Sequence, residues 1–183
     1  MEIIKRLNKM YELKSVYRFT SVGDRKESTA EHSWSSIMLA DYFMTTLGIK
    51  VDRVKVYELI MYHDLAEIET GDIWANDFEG RKNKKELELK AMKKLSDEIP
   101  VVLKDKYIEL YNEFEEKATL EAKFANAVEK IDAEIQCIFV KKDWEGWDEE
   151  MVENIKGIHY KEFPEIYDLC KKMINYCKEN KYF

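Results

Sequence analysis

Val56-Tyr57-Glu58-Leu59-Ile60-Met61-Tyr62-His63-Asp64-Leu65-Ala66-Glu67-Ile68-Glu69-Thr70-Gly71 reads as the later part of an amphipathic helix whose apolar face changes character along its length. Val56, Leu59 and Ile60 recur at the three- and four-residue spacing of a buried stripe, and the same spacing runs on through His63, Asp64 and Glu67. A carboxylate buried without a partner is costly, so a core face that ends in His, Asp and Glu calls for hydrogen bonds, opposite charges or a metal ion. The pattern places something cationic against this helix. Gly71 closes it, because glycine accepts the left-handed backbone at a helix end cheaply.

The segments on either side repeat the conflict between helix pattern and polarity. Upstream, Ser28-Thr29-Ala30-Glu31 has the S-x-x-E form of a capping box and opens a helix that ends near Gly48. His32 leads its inward face, followed by Ser35, Ser36, Leu39 and Phe43. Downstream, a helix expected over 120–142 carries the stripe Ala125, Val128, Ile135 and Phe139, with Asp132 among them. His32, His63, Asp64 and Asp132 thus form a mixed nitrogen and oxygen donor set from three helices, suited to a divalent transition metal that keeps positions open for water and substrate. The third histidine, His159, lies beside Gly157 and reads as a surface or capping residue.

The rest of the chain is helical in pattern. Helices are expected over 2–14, 51–69, 79–98, 103–117, 148–156 and 164–180, the last opened by Pro164. No segment shows sustained two-residue alternation with hairpin turns, so 16–27 reads as irregular and 72–78 as a loop. Six glycines and two prolines among 183 residues exclude collagen-like, low-complexity and turn-rich all-β chains. The expectation is an all-α single domain spanning 1–183, with 45% hydrophobic residues to fill one core.

Charge and targeting signals narrow the function classes. A net charge of −7 argues against a general nucleic-acid surface, which needs lysines and arginines to neutralise phosphates. The longest stretch free of Asp, Glu, Lys and Arg, His32 to Ala40, is nine residues, short of the roughly 20 of a membrane-spanning helix. The N-terminus MEIIKRLNKM has no apolar block of a signal peptide, so a soluble cytoplasmic protein is expected. Cys137, Cys170 and Cys177 lack C-x-x-C spacing and read as reduced core thiols.

Together, Glu27-Ser28-Thr29-Ala30-Glu31-His32-Ser33-Trp34, His63-Asp64-Leu65-Ala66-Glu67-Ile68-Glu69-Thr70-Gly71-Asp72 and Lys130-Ile131-Asp132 resemble the H…HD…D pattern of the HD-domain metal-dependent phosphohydrolases. Within them the chain looks most like the small 5'-deoxynucleotidases. The resemblance implies an HD-type helical bundle and one divalent metal, such as manganese or cobalt, held by His32, His63, Asp64 and Asp132. It implies Glu67 as the residue that positions or activates the attacking water, Asp72 as a second acid near the scissile bond and Arg18 as the phosphate clamp. Phe19 follows that arginine where the bacterial members carry tryptophan, leaving aromatic packing on the sugar. A homodimer is also implied, for which Trp144, Trp147 and Phe163 offer a surface.

The chemistry is arguable from the residues as well. A phosphate monoester dianion repels an anionic nucleophile, so its hydrolysis needs a cationic centre to activate water and offset phosphoryl charge. Glu67 can take the proton of that water, the planar fork of Arg18 can grip two phosphate oxygens, and Asp72 can assist the leaving alcohol. Trp74 and Asn76, just beyond Asp72, can stack on and hydrogen-bond a base. The expected activity is phosphate release from 2'-deoxynucleoside 5'-monophosphates. The alternatives are an HD hydrolase of an alarmone or nucleoside triphosphate, which would need a denser cluster of cations, and a metal-stabilised binding module without chemistry, which would have no use for Glu67, Asp72 and Arg18.

Overall fold

The computed structural model describes residues 1–183 and contains nine α-helices and one two-stranded ribbon. In chain order these are α1 (Glu2–Tyr11), β1 (Tyr17–Val22), β2 (Arg25–Ser28), α2 (Thr29–Thr46), α3 (Arg53–Tyr62), α4 (Glu67–Thr70), α5 (Lys84–Glu98), α6 (Val101–Glu116), α7 (Leu120–Cys137), α8 (Glu149–Ile155) and α9 (Pro164–Glu179). At the centre α2, α3 and α7 pack on one another, with α6 against α3 and α7, α5 against α6, and α9 on the far side of α7. Their inward stripes merge into one apolar cluster that includes Ala40, Val56, Leu59, Ile60, Phe124, Val128 and Ile131.

Side-chain caps set where the central helices begin. Ser28 Oγ accepts from Glu31 N at 3.3 Å while Glu31 Oε2 accepts from Ser28 N at 2.9 Å, closing the capping box expected from the sequence. Asp52 caps α3 through Val54 N and Lys55 N, and Thr119 caps α7 through Ala122 N. The Ser28–Glu31 box fixes the first turn of α2, from which His32 projects.

Four expectations are corrected. The segment 16–27 is not irregular: β1 and β2 pair antiparallel, Tyr17 with Ser28 and Val22 with Arg25, around a turn where Gly23 has φ +60°. Its alternation escapes notice because it is inverted, with Tyr17 and Phe19 outward and Arg18, Thr20 and Ser21 inward. The helix expected over 51–69 breaks after Tyr62, where Leu65 N bonds Tyr62 O and Glu67 N bonds Asp64 O, a three-residue winding in place of the α-helical four. The helix expected to reach Lys142 ends at Cys137, whose carbonyl is taken by Trp144 Nε1 at 2.9 Å, and Phe139 lies 82% exposed. Finally, Trp144 and Phe163 are core residues and Trp147 is half-buried, so this trio does not form an outer surface for a second copy.

The thiol expectation fits: all three cysteines are free, Cys170 and Cys177 buried and Cys137 half-buried. No helix is long and apolar enough to cross a membrane.

Candidate active site

Each of the two histidines is held by one ring nitrogen and free at the other. His63 Nδ1 lies 2.6 Å from the Ile60 carbonyl, which only an Nδ1–H can serve, and His32 Nδ1 lies 2.9 Å from Asp132 Oδ2. Nε2 of both rings is buried and makes no hydrogen bond, with only carboxylate oxygens near it. Two orphaned imidazole nitrogens, each backed by an acceptor on the opposite nitrogen, are the arrangement that metal-ligating histidines adopt.

Carboxylates complete the cluster. Asp64 Oδ2 stands 3.0 Å from His63 Nε2 and 4.0 Å from His32 Nε2, and Glu129 Oε2 stands 3.9 Å from His32 Nε2. The donor atoms of His32, His63 and Glu129 all lie within 4.8 Å of one another. Burial works to raise the Asp64 pKa, but His63, His32 and Arg18 outweigh it and hold the carboxyl well below its usual range. Burial likewise opposes ionisation of Glu129, and the charges of Lys130 and His63 hold it down to about 2. Two nitrogen donors and two ionised carboxylates fit a divalent transition ion.

Asp132 meets the cluster at the back of the His32 ring. Its Oδ2 is occupied by His32 Nδ1 and by the Ser35 hydroxyl at 2.8 Å, so in this structure it orients His32 from behind, and burial pushes it up to about 6. Glu129, one turn earlier on α7 and on the same face, is the carboxylate near Nε2. The three-residue spacing between them was the available signal, but Glu129 sits beside Lys130 and reads as a surface charge.

The tight winding after Tyr62 brings Glu67 beside Asp64. Glu67 is buried, accepts from the Thr29 hydroxyl at 3.2 Å, and has its pKa raised well above the usual value by burial, then by Asp64 and Asp72. Arg18 reaches in from β1 with Nε 3.2 Å from Glu27 Oε2 and Nη1 3.6 Å from Asp64 Oδ2. Glu27 is itself fixed by the Thr20 hydroxyl at 2.6 Å, so the inverted strand is what aims Arg18 at the cluster. Burial alone would discourage its charge, but Asp64, Asp72, Glu67 and Glu27 keep the guanidinium protonated.

Arg18, Asp64, Glu67 and Asp72 open on one cavity. Phe19 and Trp74 stand at the same cavity and stack on each other, centroids 4.0 Å apart and planes 6° from parallel. Lys84, Arg81, Lys156 and Trp144 also line it, Trp144 having been expected at an outer surface instead. His159 is a cavity residue and not a surface cap, with its pKa pushed down to about 4 by burial and then by Lys130. The five cations around this cavity, Arg18, Arg81, Lys84, Lys130 and Lys156, face six carboxylates, Asp64, Glu67, Asp72, Glu129, Glu134 and Asp143.

The chain is 27% identical to a Xenopus laevis protein named 5'-deoxynucleotidase HDDC2 over 138 residues, 75% of this chain and 66% of that one. The human protein of the same name is 27% identical over 113 residues, 62% of this chain and 54% of that one. The chain therefore spans somewhat over half the length of these curated relatives. A predicted metal-dependent phosphohydrolase from Magnetospirillum magnetotacticum superposes with a TM-score of 0.85 at 22% identity, covering 98% of this chain and 96% of its own. An HD-domain phosphohydrolase from Listeria innocua superposes at 0.66 with 23% identity, over 97% of this chain and 86% of its own. A family model described as HD domain matches residues 10–169. With that match spanning most of its length and the buried His32 converging on the His63-Asp64 pair, the chain belongs to the HD domain family.

Proposed function

We propose that the chain is a metal-dependent phosphomonoesterase that releases phosphate from 2'-deoxynucleoside 5'-monophosphates. The observation that carries this reading is the pair of orphaned Nε2 atoms of His32 and His63 facing Asp64, with Arg18 and Glu67 on the same cavity. His32, His63 and Asp64 would hold the ion with a carboxylate of α7, Asp132 by the motif and Glu129 by proximity. When bound, a divalent ion supplies Lewis acidity to the phosphoryl oxygens and to an attacking water.

The protein's own groups do the rest. Arg18, kept charged and aimed by Glu27, grips phosphate oxygens with its fork. Glu67, oriented by Thr29, accepts the proton of the attacking water at its carboxylate; a cation beside it favours the ionised form that this role requires. Asp72, at the cavity just beyond the helix-ending Gly71, is placed to assist the leaving alcohol. Burial of Glu67 and His63 keeps competing solvent from the reacting centre.

A monophosphate is favoured over an alarmone or triphosphate because the cavity's cations are already matched by carboxylates: Lys130 pairs Glu129, Lys84 pairs Glu88 and Arg18 pairs Glu27. Substrates with several phosphates need an excess of positive charge that this cavity does not have. The test is phosphate release from a panel of deoxy- and ribonucleoside 5'-monophosphates with manganese or cobalt, against a chelator control. Metal-dependent turnover that prefers the deoxy series is expected. No release from any member, in protein shown to contain metal, refutes the reading.

A further inference from the structure

One cation at the cavity has no part in the proposed hydrolysis. Lys84 is the first residue of α5 and lines the same cavity as Arg18, Asp64 and Glu67. Its Nζ lies 3.0 Å from Glu88 Oε1, one turn further along the helix, with the two side chains 21% and 14% exposed. The same helix carries a second pair at the same spacing, Lys90 with Glu86, whose side chains are 69% and 67% exposed. That outer pair is an ordinary solvent-facing one. The inner pair is withdrawn from water, where desolvation takes back much of what the attraction gives, so stability alone is a poor reason to keep it there.

The charges around Lys84 tie it to the reacting end of the cavity. Burial opposes charge on its ammonium, but Glu88, Glu67 and Asp64 outweigh it, and Lys84 stays protonated. Burial, Asp64 and Asp72 in turn push the Glu67 pKa up, and Lys84 opposes them more strongly than Arg18 does. Lys84 thus acts on the Asp64 and Glu67 carboxylates from α5, as Arg18 does from β1. Glu88 tethers the ammonium through one of its three N–H donors and leaves two for the cavity.

A phosphate monoester bound here brings a dianion to a place that already holds Asp64, Glu67 and Asp72. Arg18 reaches two of the three non-bridging phosphoryl oxygens with its fork. We propose that Lys84 is a second phosphate-binding residue, its ammonium tethered by Glu88 and donating to the phosphoryl oxygen that Arg18 leaves free. The inference rests on the phosphomonoesterase reading above, because that reading places the phosphoryl group at Asp64 and Glu67. Since Glu88 balances Lys84, the contact supplies directed donors without the surplus positive charge that a polyphosphate needs.

The experiment titrates inorganic phosphate into manganese-loaded protein by calorimetry, for the wild type, Lys84→Met and the double variant Lys84→Met/Glu88→Gln. Bound manganese and melting temperature are the controls. The double variant removes both charges, so no unpaired carboxylate is left inside to unfold the protein or repel phosphate. Both variants are expected to keep their metal and to raise the phosphate Kd by about tenfold or more, the size of a lost hydrogen bond between charged groups. A wild type that binds no phosphate, or a double variant whose Kd stays within about threefold of the wild type, overturns the proposal. Turnover of dTMP separates this failure from failure of the hydrolase reading. Phosphate affinity lost with Lys84 in a protein that hydrolyses no nucleotide keeps the contact and refutes the nucleotidase, whereas normal turnover and an unchanged phosphate Kd in the double variant overturn the contact alone.

Discussion

A single bond on each imidazole decides what the site can do. With Nδ1 of His63 tied to Ile60 and Nδ1 of His32 tied to Asp132, both rings turn Nε2 toward the carboxylates in a buried space, where a metal ion would take the place of a proton. Glu67 then becomes the residue whose removal separates holding a metal from using it. Glu67→Gln is expected to leave bound metal unchanged and to lower kcat by about 10²–10⁴, the range for a lost general base; turnover near that of the wild type would remove Glu67 from the mechanism. Glu129 and Asp132 are separable in the same way. If Glu129 is a ligand, Glu129→Gln weakens metal binding more than Asp132→Asn, whose effect through His32 orientation is about 10–100-fold. The reverse order in a metal titration would return Asp132 to the ion and leave Glu129 as the partner of Lys130.

Elements deliver these side chains, and their legibility varied with the physics that forms them. The start of α2 was plain in Ser28-Thr29-Ala30-Glu31 because a capping box is local chemistry. Glu31 accepts from Ser28 N and pairs with Arg25, which hold its pKa down to about 2, against an ordinary value of 4.5. A carboxylate whose folded-state pKa is depressed adds stability above its unfolded value and loses it as pH falls, here between about pH 4.5 and 2. Glu31→Ala is therefore expected to cost up to about 1 kcal/mol at pH 7, discounted for exposure, and to flatten the acid limb of the denaturation profile in that window. An unchanged acid limb would show that the box is not closed in solution. The strand β1 was illegible because Tyr17 and Phe19 face outward while Arg18, Thr20 and Ser21 face inward, a pattern dictated by the site and not by the core. The break after Tyr62 was hidden for a similar reason: His63, Asp64 and Glu67 keep helical spacing in sequence, while tertiary demands wind the chain more tightly.

Across the whole molecule, three helices that meet through ordinary apolar packing carry an ionisable cluster into their shared centre. The residues His32, His63, Asp64 and Glu67 could be picked out from sequence because polar groups on core stripes are conspicuous, whereas Arg18 and Asp72 came only from the resemblance to a known family. Glu27, Glu129 and Lys156 could not, since a charge beside other charges looks like surface until the fold encloses it. A cation that binds only the folded chain stabilises it by mass action, about 2.7 kcal/mol at a concentration 100 times its Kd. Manganese is accordingly expected to raise Tm by several degrees, with the rise abolished in His63→Ala; a Tm indifferent to metal and chelator would argue against a buried ion. The most direct measurement is a titration of chelator-stripped protein with manganese or cobalt, following phosphate release from a 2'-deoxynucleoside 5'-monophosphate and bound metal together. Turnover that rises in step with occupancy and levels off at one ion per chain is expected. Full turnover in stripped protein, or one bound ion per chain with no turnover, would contradict the assignment of this cluster as a hydrolytic metal centre.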